Sequence, residues 1–158
     1  AARRRRPYGG RVTAGDAGSA LRDARTAIAD RVRAAYPTWQ VSRSMLYNAT
    51  LPCVEVYPDP DQPIDYLIAG DATEWHLIVR AIVARNDAES AQDTLDAMLA
   101  HDGDGSMRAA ILAANADSAE WGIVVTSADA YLEVIREGWT SGALACLWRV
   151  TVTSAYAS

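Results

Sequence analysis

Hydrophobic residues recur along this chain with two different periods, and the helical period marks three segments. Spacings of three and four residues predict a helix that begins at the N-cap Ser19 and ends at Tyr36. The same spacing predicts a second helix that begins near residues 86–87 and a short third helix over residues 107–114, which Ser106 is predicted to cap. The two longer apolar stripes consist of Leu21, Ala24, Ile28, Val32 and Ala35, and of Ala88, Ala91, Leu95, Met98 and Leu99.

The alternating period that is typical of strands is clearest over residues 73–85. One face of this strand is apolar, whereas the opposite face mixes apolar and charged residues. A mixed second face is often covered by another chain, so Ile78, Arg80 and Ile82 are predicted to contact a partner. The apolar face consists of Trp75, Leu77, Val79, Ala81 and Val83. Further strands are predicted over residues 39–45, 53–57, 64–68, 123–127, 131–136 and 144–152.

The order of these elements predicts the fold class. A helix, four strands, two helices and three strands suggest an α+β domain, with a largely antiparallel sheet and two to three helices packed on one face. The length of 158 residues suits one domain, which we predict over residues 18–158. An extended Arg-rich arm is predicted over residues 1–17. No apolar run approaches the roughly 20 residues that span a bilayer, so no membrane partner is expected.

Charge is distributed unevenly, with a basic arm on an acidic body. Residues 1–43 contain ten Arg and three Asp, whereas residues 44–158 contain five Arg and seventeen acidic residues, which gives the net charge of −5. An arm of this composition does not order itself, so a partner or a neighbouring subunit is expected to hold it. The predicted contact residues of the arm are Arg3, Arg4, Arg5 and Arg6.

One aromatic residue is a further candidate for a partner contact. Trp139 lies in a turn between Gly138 and Gly142, and tryptophan at such a position is enriched at protein interfaces. Packing of Trp139 against its own sheet is an equally weighted alternative.

Patterns that carry catalysis or metal binding are missing from the sequence. The two histidines, His76 and His101, form no paired ligand motif, so no metal site is predicted and His76 is interpreted as a packed or interface residue. There is no G-x-S-x-G motif, and a chain without Lys cannot form a Walker A phosphate loop. Cys53 and Cys146 are interpreted as reduced, buried thiols. We therefore predict a protein that is not an enzyme and holds no cofactor.

Five segments follow one another in a recognisable order. An amphipathic helix ends at Tyr36-Pro37, and the strand over residues 51–56 follows it. The long strand over residues 75–83 runs into the helical segment 87–99, and residues 105–111 precede a terminal β-hairpin. In this order and spacing, over about residues 19–153, the chain resembles the tail terminator (tail-completion, head–tail joining) proteins of long-tailed bacteriophages.

The resemblance implies a structural virion protein that assembles into a ring, expected to be a hexamer. Such a ring caps the tail tube and joins the tail to the head-completion (stopper) protein, while the genome passes through its lumen. The implied partners are other copies of the chain, the tail tube protein, the stopper protein and DNA in transit. The implied location is the tail or neck of the virion, after assembly in the host cytoplasm. The Arg-rich arm departs from the short N-terminus that is usual in this family.

Other functions remain open at this point. Another neck component, such as a head-completion stopper or connector, would also form rings without catalysis. A small nucleic-acid-binding module could use the basic arm to bind phosphate, although the acidic body offers no basic helix or aromatic–basic platform. An uncharacterised hydrolase is a third alternative.

Overall fold

The computed structural model of the protein describes residues 14–45, 50–67, 72–85, 88–135 and 142–155. Within these ranges the chain forms three α-helices, a short 3-10 helix and six strands. The helices are α1 (Ala14–Ala35), α2 (Ala88–Met98) and α3 (Met107–Ala113), which continues into the 3-10 turn Ala114–Ala116. The strands are β1 (Gln40–Ser42), β2 (Cys53–Pro58), β3 (Asp65–Leu67), β4 (Ala72–Ala84), β5 (Trp121–Val134) and β6 (Ala143–Ala155).

The six strands form one sheet in the order β1-β2-β4-β6-β5. Strand β3 pairs with the beginning of β4, on the side where β2 pairs with the rest of that strand. The β1–β2 pair is parallel, and the other pairs are antiparallel. The prediction of an α+β fold with a largely antiparallel sheet is therefore confirmed.

All three helices contribute to one hydrophobic core on a single face of the sheet. The alternating residues that were predicted to share a face of β4 all belong to this core, because a strand of period two directs them to the same side. From the helices, the buried residues include Ile28 and Val32 of α1, Leu95 of α2 and Ile111 of α3. Most of the two predicted stripes thus packs against the sheet, whereas Ala35, at the end of α1, is exposed.

The first helix begins earlier than the sequence analysis predicts. It starts at Ala14, so Ser19 lies inside the helix instead of capping it. The helix therefore includes residues 14–17, which were predicted to belong to the extended arm. The predicted cap of α3 is confirmed, since the Ser106 hydroxyl accepts a hydrogen bond from the backbone N–H of Ala109 at 3.1 Å.

The two strands that were predicted over residues 123–127 and 131–136 form one strand, β5. Its register against β6 shifts between Val125 and Ser127 and again between Asp129 and Leu132. At each shift β5 contains one more residue than β6, which is the signature of a β-bulge. Tyr131 lies at the second bulge with a positive φ of 56°. The second bulge interrupts the alternation between the two predicted strands, and this explains the difference.

Candidate functional site

Strand β5 is one outer strand of the sheet, and it exposes large apolar side chains. It pairs with β6 on one side, and within the described residues no strand pairs with its other side. Val124 is 53% exposed, and Ile135, directly after the strand, is 78% exposed. An unpaired edge with exposed apolar residues is a surface on which another chain can dock.

At the beginning of this edge, the Asn115 side chain pairs with the backbone of β5. The Asn115 side chain accepts a hydrogen bond from the backbone N–H of Ile123 at 2.7 Å and donates one to the carbonyl of Ile123 at 2.9 Å. Trp121 donates from its indole nitrogen to the carbonyl of Ala114 at 3.2 Å. Both backbone groups of Ile123 are therefore occupied on the side that faces away from β6.

The other side of the sheet exposes a second set of apolar residues. Strand β1 has three residues and is the outer strand beyond β2, while β3 lies beyond the start of β4. Near them, Met45, Ile64 and Tyr66 are exposed, and Tyr66 retains 76% of its accessible surface. The sheet thus carries two exposed apolar areas of different composition at its opposite sides.

Two residues of the mixed face of β4 are buried within the chain, which corrects the predicted use of Ile78 and Ile82 as contacts. Ile82 has no accessible surface, and Ile78 retains only 7%. Ile82 packs with Cys53, Ala143 and Ala145 in a second small hydrophobic cluster, partly covered by Leu51 and Val134. Because β4 is flanked on both sides, neighbouring strands supply the cover that we expected from another chain.

On the same face, Arg80 forms an ion pair with the buried Glu55, and so its predicted use as a partner contact is also corrected. Arg80 donates to the carboxylate of Glu55 from Nη2 at 2.9 Å and from Nε at 3.3 Å. The Glu55 side chain is fully buried, whereas the Arg80 side chain keeps 17% of its surface. The Arg80 guanidinium also lies 5.5 Å from the centroid of the Tyr57 ring, a cation–π distance. Arg80 therefore makes its contacts within its own chain.

The same face brings together three side chains that the sequence analysis did not associate. His76 Nε2 lies 3.4 Å from Asp65 Oδ2 and 3.4 Å from Glu74 Oε1. The other ring nitrogen, Nδ1, lies 3.3 Å from Thr151 Oγ1 on β6. Glu74 and His76 share a face of β4 at i and i+2, which the sequence shows. Asp65 reaches them through the pairing of β3 with β4.

Both cysteines are buried and neither forms a disulfide, as the sequence analysis predicts. Cys146 belongs to the helix-side core, and Cys53 belongs to the cluster on the opposite face. Burial, with a further contribution from the Asp96 carboxylate, raises the pKa of the Cys146 thiol to about 11. A thiol with this pKa is protonated and weakly reactive at neutral pH.

Two cavities lie on the surface of the described part of the chain. One, of about 360 Å³, is lined by Trp39, Pro52 and Val83 together with residues of α2, none of which is an acid or a base. The other, of about 520 Å³, surrounds the ion pair between Arg31 and Asp117, whose atoms approach to 2.6 Å.

Several predicted contact residues lie outside the described residues, and their roles stay predictions. These are Arg3, Arg4, Arg5 and Arg6 in the arm and Trp139 in the turn before β6. In the part of the chain that the structure describes, no helix combines the length and the apolar character needed to cross a membrane.

Comparisons with known proteins leave the family open. No protein-family model matches the chain, and no curated protein matches it.

Proposed function

We propose that the protein is a structural ring subunit, the tail terminator of a long-tailed bacteriophage. In this role copies of the chain form a hexameric ring that caps the tail tube and joins it to the head-completion protein. The observation that carries the proposal is the unpaired edge of β5 with its exposed apolar residues, because ring subunits need a surface that binds a neighbour. The resemblance in the order of elements favours a tail terminator over other ring-forming neck components.

A ring requires two different surfaces on each subunit, since each copy binds one neighbour on each side. The exposed apolar residues at the two sides of the sheet supply such a pair: Val124 and Ile135 by β5, and Met45, Ile64 and Tyr66 on the opposite side. The two sets consist of different residues, which suits contact between unlike surfaces. Contacts of this heterologous kind close into a ring when the rotation between subunits allows it.

The charge of the body is compatible with the passage of DNA through the ring. Residues 44–158 contain seventeen acidic residues and five Arg. Of these Arg, Arg80, Arg85 and Arg149 are each paired with an acid of the same chain, namely Glu55, Glu133 and Asp129. Each cationic contact to phosphate would add salt-dependent affinity for DNA. A lumen with few unpaired cations would therefore let DNA slide.

The test is an assembly experiment with the purified chain and its cognate tail tube protein. We expect mass photometry to detect hexamers, and electron microscopy to show rings at one end of the tubes, whose lengths stop increasing. The variants Val124→Asp and Ile135→Asp place a charge at the β5 edge and should lose ring formation, because burying an unpaired carboxylate is costly.

Ala34→Asp is the matched control, because Ala34 is exposed on α1 and belongs to neither of the two exposed apolar areas. This variant should form rings as the wild type does, and circular dichroism should show that all three variants fold. A chain that stays monomeric with and without tubes would refute the proposed function. Rings that tolerate both edge variants would refute the role of the β5 edge.

A further inference from the structure

We propose that Asp65, Glu74 and His76 form a binding site for a divalent transition-metal cation, with Zn²⁺ as the best match. This inference stands apart from the proposed ring function and rests on three ligand atoms that converge from two neighbouring strands. One oxygen of Asp65, one of Glu74 and one ring nitrogen of His76 all lie within 4.8 Å of one another.

The separations between the ligand atoms fit a tetrahedral ion better than direct hydrogen bonds. Both carboxylate oxygens lie 3.4 Å from His76 Nε2. Hydrogen bonds between nitrogen and oxygen are usually about 2.7–3.2 Å long, so 3.4 Å is long for a direct contact. Bonds of about 2.0–2.1 Å to Zn²⁺ at the tetrahedral angle place two ligand atoms about 3.3–3.4 Å apart. An ion can therefore bridge His76 Nε2 and either carboxylate oxygen, and all three ligand atoms lie within 4.8 Å of one another.

The histidine ring is oriented in the way that metal-binding histidines usually are. Nε2 faces the two carboxylates, while Nδ1 lies 3.3 Å from the hydroxyl oxygen of Thr151. With the ion on Nε2, the proton of the neutral ring resides on Nδ1 and is donated to Thr151 Oγ1. Such a second hydrogen bond fixes the tautomer and the direction of the ring.

The charges around the three residues favour a cation. Arg80 and Arg149 lie on the same face of the sheet, but Arg80 pairs with Glu55 and Arg149 pairs with Asp129. Among the described residues, the ion-pair contacts of Asp65 and Glu74 are to His76. A neutral imidazole and two carboxylates carry a charge of −2, which a divalent ion neutralises.

The ligand types and the exposure select the kind of ion and leave room for a fourth ligand. Imidazole nitrogen favours Zn²⁺ and its neighbours over Mg²⁺ and Ca²⁺, which prefer oxygen. Exposure rises from 18% for the His76 side chain to 31% for Glu74 and 47% for Asp65. The outer side of the site is thus open, so water can supply the remaining coordination position.

The experiment uses the full chain without a histidine tag and ZnCl₂ as the probe. Isothermal titration calorimetry should show one Zn²⁺ per chain, and NMR of the imidazole nitrogens should show that the ion binds Nε2 of His76. Thr151→Val removes the hydrogen-bond partner of Nδ1 and should weaken binding by about 10–100-fold. Asp65→Asn, Glu74→Gln and His76→Ala remove ligands and should weaken binding at least as much.

His101→Ala is the matched control, because His101 is the second of the two histidines and lies in an exposed turn. It should bind Zn²⁺ as the wild type does. If His76→Ala fails to fold, Asp65→Asn and Glu74→Gln still decide the result, because they preserve side-chain size. The proposal is overturned if the wild type binds no Zn²⁺ at millimolar concentration, or if the ligand variants bind it unchanged. Loss of binding in His101→Ala alone would also overturn it.

Discussion

Strands β4 and β5 are nearly equal in length, both run antiparallel to β6, and yet they have opposite environments. β4 has 13 residues, with β6 on one side and β2 and β3 on the other; its apolar face is buried, and on its mixed face Ile78 and Ile82 are buried as well. β5 has 14 residues and lies at the end of the sheet, where most of its residues are exposed or half-buried. The burial of a strand therefore depends on the number of strands that flank it, and not on its hydrophobicity alone.

The difference extends to the polar residues of the two strands. Arg80 of β4 pairs with the buried Glu55 of the next strand, whereas Asp129 of β5 pairs with Arg149 in partly exposed surroundings. A buried ion pair is costly to break because its remaining charge cannot reach water. An exposed pair contributes little to stability because solvent screens it. The interior of the chain thus depends on β4, while β5 is available for contacts with another molecule.

The largest effect should come from breaking the buried ion pair of β4. Arg80→Met removes the guanidinium that pairs with the buried Glu55 carboxylate, so the free energy of unfolding should fall by about 3–5 kcal/mol. Urea denaturation monitored by tryptophan fluorescence measures this change. The double variant Glu55→Leu/Arg80→Met removes both charges and should recover most of the loss. A double variant as unstable as Arg80→Met would show that packing, and not the uncompensated charge, causes the loss.

A smaller difference should separate two identical substitutions, one on each strand. Val79→Ala removes two fully buried methyl groups from β4 and leaves a cavity, which should cost about 2–3 kcal/mol. Val124→Ala removes the same groups from an exposed position on β5 and should change stability by less than about 0.5 kcal/mol. Urea denaturation of both variants gives the comparison. Equal losses would contradict the view that β5 is an outer strand of the monomer.

The smallest effect concerns β6, the strand that β4 and β5 share. The pKa of the Cys146 thiol is raised from 9.0 to about 11, so the unfolded chain releases this proton first as the pH rises. The stabilising contribution is complete below pH 9.0 and should be lost as the pH rises to about 11. The slope of unfolding free energy against pH in this range should therefore be less steep in Cys146→Ala.

Denaturation curves of wild type and Cys146→Ala at a series of alkaline pH values measure the two slopes. The raised pKa of Tyr36, about 12, is present in both proteins and provides a common background. Equal slopes would show that the thiol ionises as readily in the folded chain as in the unfolded one.

The sequence predicts those parts of the fold that depend on local periodicity. The alternation from Trp75 to Val83 places the apolar face of β4 correctly, and Ser106 caps α3 because its hydroxyl meets the third backbone amide after it. The sequence also predicts the α+β class, since the order of helices and strands limits the ways in which they can pack.

The predictions that were wrong or missing concern features that depend on which strands become neighbours. The mixed face of β4 contains the same residues whether side chains of the flanking strands or another subunit bury it. The pattern alone therefore could not place Ile82 in the interior. The approach of Asp65 to His76 depends in the same way on the pairing of β3 with β4. The sequence analysis missed the continuity of β5 because its second bulge interrupts the alternating pattern between residues 129 and 132. These features arise from contacts between distant segments, which no local period encodes.

The side chain of Asn115 has a consequence for how far an assembly can grow. A strand edge that is open along its whole length accepts added strands in many alignments, which is how amyloid-like stacks extend without limit. Asn115 occupies the edge at Ile123, and the bulges that follow add twist to the rest of β5. An incoming strand therefore meets one short, curved stretch with a defined starting point. Such an edge favours an assembly with a fixed number of members over a fibril.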